Sequence, residues 1–99
     1  MIKEYLGKRV IVRGDRTGVF YGTLLEKEGK EVKLGDCRRL WYWDGAASIS
    51  QIAEEGVKCP ENCKFTVSVK SLVLTDAIEI IPCTDAAIEN IEKVAIWKR

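Results

Sequence analysis

Histidine is absent from the sequence, and that gap removes a good deal of chemistry. Without imidazole there is no Ser–His or Cys–His nucleophile pair and no imidazole base. No H-E-x-x-H, P-loop or G-x-G-x-x-G pattern is present, and the spacing of the Asp and Glu residues reads as solvated faces rather than paired acid and base. The expectation is a protein that is no enzyme, with no catalytic residue and no cofactor. Long apolar runs are missing as well. Nothing approaches the roughly 18 residues of a membrane span, and Met1 to Gly7 lacks a secretory apolar core, so the protein is expected in the cytoplasm. A large charge excess is lacking too. The formal net charge is +1, which argues against duplex nucleic acid and leaves room only for a local phosphate-binding patch.

Cysteine is modest in number, with Cys37, Cys59, Cys63 and Cys83. In a reducing compartment these are thiols. Cys59 and Cys63 form a C-x3-C pair around Pro60 that raises a zinc reading, but the other two are single and distant, so free thiols are preferred. Cys83 precedes a helix N-terminus, a position that can lower a thiol pKa; a buried structural cysteine is the better reading.

What the chain does have is Arg38-Arg39-Leu40-Trp41-Tyr42-Trp43, two guanidinium groups and three large aromatics in one run. Aromatic runs favour pleated strands. Alternation then puts Arg39, Trp41 and Trp43 on one face and Arg38, Leu40 and Tyr42 on the other. Such a face could grip phosphate through a guanidinium fork and stack a nucleobase on indole. The plainer reading makes the tryptophans core or a subunit seam, with Arg39 laid over them.

Around this run, alternation predicts strands over Lys8–Arg13 and Val19–Glu26, with Gly22 marking a bulge or a close backbone approach. A third strand over Glu31–Leu34 is expected to break at Gly35-Asp36 before the Arg-aromatic strand. Turn signals every 8–12 residues point to a meander that curls like a barrel. A helix follows over Ala47–Glu55, stopped by Gly56. Strand character resumes from Phe65 and again over Leu72–Ile81, with a break at Thr75-Asp76. A C-terminal helix is expected from about Thr84 to Trp97 on the stripe Ala87, Ile88, Ile91, Val94 and Ala95; residues 1–6 are a lead-in. The fold class is α+β: a curved antiparallel β-sheet with one short helix and a C-terminal helix. At 99 residues a single domain buries only part of its surface, which favours a homo-oligomer.

The binding set gathers cations (Arg9, Arg13, Arg16, Arg38, Arg39), aromatic planes (Phe20, Trp41, Tyr42, Trp43, Phe65) and neutral hydrogen-bonding groups (Asn62, Thr66, Ser68, Thr75). That mixture suits a small nucleotide with one to three phosphates.

Gly7-Lys8-Arg9-Val10-Ile11-Val12-Arg13, Gly18-Val19-Phe20-Tyr21-Gly22-Thr23-Leu24, the Arg38–Trp43 run with Gly45-Ala46-Ala47-Ser48, and Ala77-Ile78-Glu79-Ile80-Ile81-Pro82-Cys83 together resemble the first-described Thoeris anti-defence family of bacteriophage proteins. The resemblance implies that residues 1–99 are a single nucleotide-signal-binding domain. It implies a sponge in the infected host's cytoplasm that binds glycocyclic ADP-ribose, the TIR enzyme's signal, without cleaving it. It further implies a dimer at least, a hexamer in some relatives, and binding of CBASS cyclic di- or trinucleotides at separate sites. Carried over, the phosphate role falls on Arg39 and base stacking on Phe65, with Thr75 and Arg13 completing the pocket. Relatives have an amide near Thr75, and for their arginine of the C-terminal helix region the candidates are Lys93, Lys98 and Arg99. Two other classes share the same residues: a single-stranded nucleic-acid-binding module and a structural oligomerisation module.

Overall fold

The computed structural model describes residues 3–99. It is α+β, with six antiparallel strands and two helices: β1 Arg9–Gly14, β2 Val19–Glu28, β3 Glu31–Tyr42, α1 Ile49–Glu55, β4 Lys64–Phe65, β5 Val69–Leu74, β6 Ala77–Pro82 and α2 Asp85–Glu92. Lys3–Tyr5 forms a 3-10 turn; the first two residues of the expected lead-in lie outside the described residues. β1, β2 and β3 make a meander, β6 returns to the outer side of β1, and β5 pairs along β3 while β4 pairs with the end of β3. Thr75-Asp76 joins β5 to β6, yet these two strands lie on opposite margins of the sheet. The sheet must therefore curl. Leu74 and Ala77, one from each margin, share a buried cluster with Val10, Val12, Phe20, Leu24, Val32, Leu34 and Cys37. The curl stays open between β5 and β6.

Bulges produce the curvature. The register slips between Tyr21 and Thr23, between Leu24 and Glu26, between Arg13 and Gly14, and between Leu40 and Tyr42, and each slip bends its strand and adds twist. β3 is consequently one continuous strand, where the glycine had suggested a break. Gly35-Asp36 is absorbed as a bulge, with Asp36 at φ +44. Gly22 lies opposite it, where a Cβ would meet the Gly35 carbonyl oxygen at 3.0 Å and the Cys37 Cα at 3.1 Å. Both the bulge and the close approach expected at Gly22 are present.

A second core lies on the sheet's other face. Ile11, Tyr21, Leu40 and Phe65 pack there against Ile52, Ala53 and Val57 around α1 and against Ala87, Ile91 and Val94 around α2. Local capping sets both helices. Ser48 accepts from the Gln51 N–H and Gly56 ends α1 at φ +81. Thr84 accepts from the Ala87 N–H while its hydroxyl donates to the Glu54 carbonyl at 2.7 Å, which ties the start of α2 to the end of α1. No helix among the described residues is long and apolar enough to cross a membrane.

α2 stops at Glu92, well before Trp97. The apolar periodicity overran the helix because Val94, past its end, still enters the core. Beyond it the chain extends, Ile96 bridges Phe65 in parallel, and the Trp97 N–H donates to the Phe65 carbonyl at 2.8 Å.

Arg38 makes that ending possible. Its side chain is buried, and its guanidinium donates to the carbonyls of Thr66 (3.0 Å), Phe65 (3.1 Å), Ile91 (3.2 Å) and Ala95 (3.2 Å). Two of these acceptors leave the helix terminus and two belong to the β4 segment, so one planar fork joins β3, β4 and the C-terminal segment. Arg38→Ala would remove the donor to the Thr66 and Ala95 carbonyls and one of two donors to those of Phe65 and Ile91, which also accept from the Trp97 and Val94 N–H groups, and each unsatisfied buried group costs about 1–3 kcal/mol. Urea unfolding of Arg38→Ala is expected to show a loss of about 3 kcal/mol or more. Arg38→Lys should recover little of it, since a single ammonium cannot span the set.

Candidate functional site

The β3–β4 register decides which side chains meet. Leu40 pairs with Phe65 and Tyr42 with Lys64, so Trp41 is the extra residue of a bulge. An added residue reverses the phase of alternation. Leu40 and Phe65 point into the helix-side core; Arg39, one residue before, and Lys64, opposite Tyr42, are on the other face. The expected face of Arg39, Trp41 and Trp43 therefore does not form. Trp43 lies beyond the strand end and packs against the helix-side core, and Tyr42 moves out in its place, 51% exposed beside Trp41 at 63%.

Two groups of contacts follow along β3: Arg39 with Thr66, and, around the strand end, Trp41, Tyr42, Lys64 and Trp97. The Arg39 guanidinium lies 4.5 Å over the Phe20 ring and donates to the Thr17 carbonyl at 2.6 Å. Thr66 holds the Arg39 backbone from both sides, its hydroxyl accepting from the Arg39 N–H at 3.1 Å and its own N–H donating to the Arg39 carbonyl at 3.0 Å. Lys64 Nζ is 6.0 Å from the Tyr42 ring and 5.5 Å from that of Trp97. The ion pairs among the described residues are Arg9–Glu92, Arg13–Glu79, Lys33–Glu26 and Lys93–Glu89; Arg39 and Lys64 are in none of them. Arg39 thus lies over the buried Phe20 ring and Lys64 beside Tyr42 and Trp97, and each is a cation that can take an anion.

The remaining expected residues separate from this face. Arg38 is committed to backbone carbonyls. Phe65 has no exposed surface, so it presents no plane for a base; its ring is covered by Arg38 at 5.5 Å. Arg13 is paired with Glu79 at 3.0 Å. Thr75 is exposed at the β5–β6 turn, next to Asp76, whose carboxylate accepts from the Arg16 N–H at 2.9 Å and the Thr17 hydroxyl at 3.0 Å. Arg13, Thr75 and Arg39 thus all border the loop from Gly14 to Gly18. Of the C-terminal cations, Lys93 pairs with Glu89 at 3.1 Å, and Lys98 and Arg99 follow Trp97. Lys64 and Trp97 were missed as site residues in the sequence. Lys64 adjoins the strand-like run from Phe65, and Trp97 falls at the end of the expected helix, so neither carried a site signal.

Grooves of about 470 Å³ between the ends of β2 and β3, about 350 Å³ beside α2 and about 280 Å³ at the opening of the curl contain none of the expected site residues. The Arg39 face is open. No group of three or more metal-ligating side chains occurs among the described residues, and all four cysteines are free. Burial pushes the Cys83 thiol up to about 12 and Cys37 up to about 11, against a smaller opposing pull from nearby arginines. Cys83 therefore behaves as a packed residue rather than as an activated one at a helix N-terminus.

The sequence matches a domain of unknown function, DUF6948, over residues 7–91. The chain belongs to that family. No curated protein matches it. The matched span runs from just before β1 into α2, so this family member's Arg39, Trp41 and Lys64 lie inside it and its Trp97 beyond it.

Arg9 forms a separate polar knot behind the face. It meets Glu92 at 2.6 Å and the Asp36 carbonyl at 3.0 Å, and it lies 4.7 Å over the Tyr21 ring. The Tyr21 hydroxyl donates to the same Glu92 oxygen at 2.7 Å. Burial alone would raise the Glu92 pKa, but the bonds from Tyr21 and Arg9 and the nearby Arg38 charge hold it below its ordinary 4.5. A depressed carboxylate contributes stability in full above its unfolded value and loses it as pH falls through the folded one. The melting temperature should therefore drop on acidification from about pH 4.5 downward, and Glu92→Gln should flatten that part of a pH series while lowering the neutral-pH value.

Proposed function

We propose that this protein binds a small nucleotide signal on the Arg39 face and sequesters it without cleaving it. The observation that carries the reading is the Arg39 guanidinium, which makes no carboxylate ion pair and is held by the Phe20 ring and the Thr17 carbonyl, with Lys64, Trp41, Tyr42 and Trp97 grouped at the end of the same strand. Phosphate would take the guanidinium fork, whose Phe20 support and Thr17 anchor hold it in place. Base and ribose would lie over the aromatics, where stacking contributes about 1–3 kcal/mol per base. Following the resemblance to the Thoeris anti-defence family, the ligand is a cyclic ADP-ribose-type signal, glycocyclic ADP-ribose, in a phage-infected bacterium, with CBASS cyclic di- and trinucleotides as further ligands of a hexamer. Because the face is open in the single chain, the recessed pocket of such a sponge would be completed by a second copy, making the functional unit a dimer at least.

The openness of the face equally suits a single strand of nucleic acid, which is the competing reading. Thermal unfolding with glycocyclic ADP-ribose, a cyclic trinucleotide and single-stranded DNA separates the two, because a binder raises the melting temperature by mass action. We expect stabilisation by glycocyclic ADP-ribose and recovery of the intact ligand after heat denaturation; stabilisation by DNA alone would favour the competing reading. Arg39→Ala should weaken capture at least about 30-fold, the equivalent of about 2 kcal/mol or more for losing one side of a charged hydrogen-bonded contact. Calorimetry on the folded variant reads this directly. Binding within threefold of the parent would move the phosphate role to another cation on the face.

A further inference from the structure

Arg39 is oriented by a loop that one carboxylate ties down. Its Nη1 donates to the Thr17 carbonyl at 2.6 Å, while among the described residues its Nε and Nη2 make no hydrogen bond. Thr17 belongs to the connection between β1 and β2, which the Gly14 N–H closes by donating to the Gly18 carbonyl at 2.8 Å. A hairpin connection of this length closes on its own hydrogen bonds. This one is also tied to the turn between β5 and β6. Asp76 accepts from the Arg16 N–H at 2.9 Å through one carboxylate oxygen and from the Thr17 hydroxyl at 3.0 Å through the other, and its backbone carbonyl accepts from the Asp15 N–H at 2.9 Å. The Arg16 N–H and, after it, the Thr17 hydroxyl hold the Asp76 carboxyl below its ordinary value, so it is ionised at neutral pH. The latch is closely fitted. A Cβ on Gly14 would collide with the Thr17 hydroxyl and come within 2.9 Å of Asp76 Oδ1. What the anchor fixes, beyond closure of the hairpin, is where the Thr17 carbonyl stands.

We infer that Asp76 is the positioning residue of the Arg39 phosphate fork: by holding Thr17 it keeps Nη1 engaged and leaves the Nε–Nη2 edge for an oxyanion. That edge carries two parallel N–H groups, which match two oxygens of one phosphate. The inference rests on the nucleotide-binding reading and adds to it the edge by which phosphate is taken and the residue that sets it.

The test uses the full chain with the variants Asp76→Ala, Thr17→Val, Thr17→Ser and Arg39→Ala. The first readout needs no ligand. Heteronuclear NMR follows the arginine side chains, with the Arg39 signals assigned by their loss in Arg39→Ala. Rotation of the Arg39 guanidinium about Nε–Cζ is expected to be slow in the parent and in Thr17→Ser, and fast in Asp76→Ala and Thr17→Val, which remove the carboxylate and the hydroxyl. The second readout is calorimetry with glycocyclic ADP-ribose and with inorganic pyrophosphate. Asp76→Ala and Thr17→Val should each weaken binding about tenfold, and Thr17→Ser should stay within about threefold of the parent. In the Arg39→Ala background, Asp76→Ala should weaken binding no further, because residues that act as one unit are not additive. Unchanged Arg39 signals in both Asp76→Ala and Thr17→Val overturn the latch. A weakening by Asp76→Ala that adds in full to that of Arg39→Ala overturns it as well. Pyrophosphate binding with the expected pattern, without uptake of glycocyclic ADP-ribose, would keep the positioning role and remove the nucleotide reading. If the parent binds neither probe, the positioning role falls together with the reading on which it rests.

Discussion

One buried guanidinium connects the parts of this fold that the chain order keeps apart. Arg38 lies on β3, and its donors reach the carbonyls of β4, of the last turn of α2 and of the segment that follows. Burial lowers its pKa, with Glu92 and Tyr21 pulling the other way. Guanidinium nevertheless remains charged in proteins, so the cost of desolvation must be met by hydrogen bonds, and here backbone carbonyls supply them. Without that fork the Ala95 and Thr66 carbonyls would lose their donor, and the segment bearing Trp97 would be held beside β4 by the Ile96–Phe65 bridge and the Trp97 N–H alone.

The same node explains the division of labour between neighbouring arginines. Arg38 and Arg39 are adjacent and chemically identical, but the pleat sends them to opposite faces. The inward one meets the apolar helix-side core and becomes structural; the outward one is propped on Phe20 and the Thr17 carbonyl with no carboxylate to neutralise it. Arg9 and Arg13 are balanced by Glu92 and Glu79. Arg39 is set apart from Arg9 and Arg13 because it is fixed by the Phe20 ring and the Thr17 carbonyl rather than by a carboxylate.

Much of the architecture was legible in the chain. The strands of β1 and β2 show in their alternation, Gly56 ends α1, Thr84 starts α2, and Thr75-Asp76 marks the turn between the last strands, because caps and turns depend on local backbone conformation. The end of α2 was not legible, since Val94 continues the apolar pattern after the helix has ended. Nor was the continuity of β3, since the Gly35-Asp36 bulge looks in one dimension like a turn.

For the site, the sequence by itself determined the chemistry available: no imidazole, a cluster of arginine and aromatic residues, and nearly balanced charge. Those follow from composition and local spacing alone. Which residues face the same way was decided only in three dimensions. A single bulge between Leu40 and Tyr42 shifts the pleat by one position, taking Trp43 inward and Tyr42 outward, and the pairing of β4 buries Phe65. Trp97 reaches Trp41 only because the chain beyond α2 unwinds and lies alongside β4. Bulge phase and long-range pairing depend on partners distant in the chain, so neither is written in the residues that they rearrange.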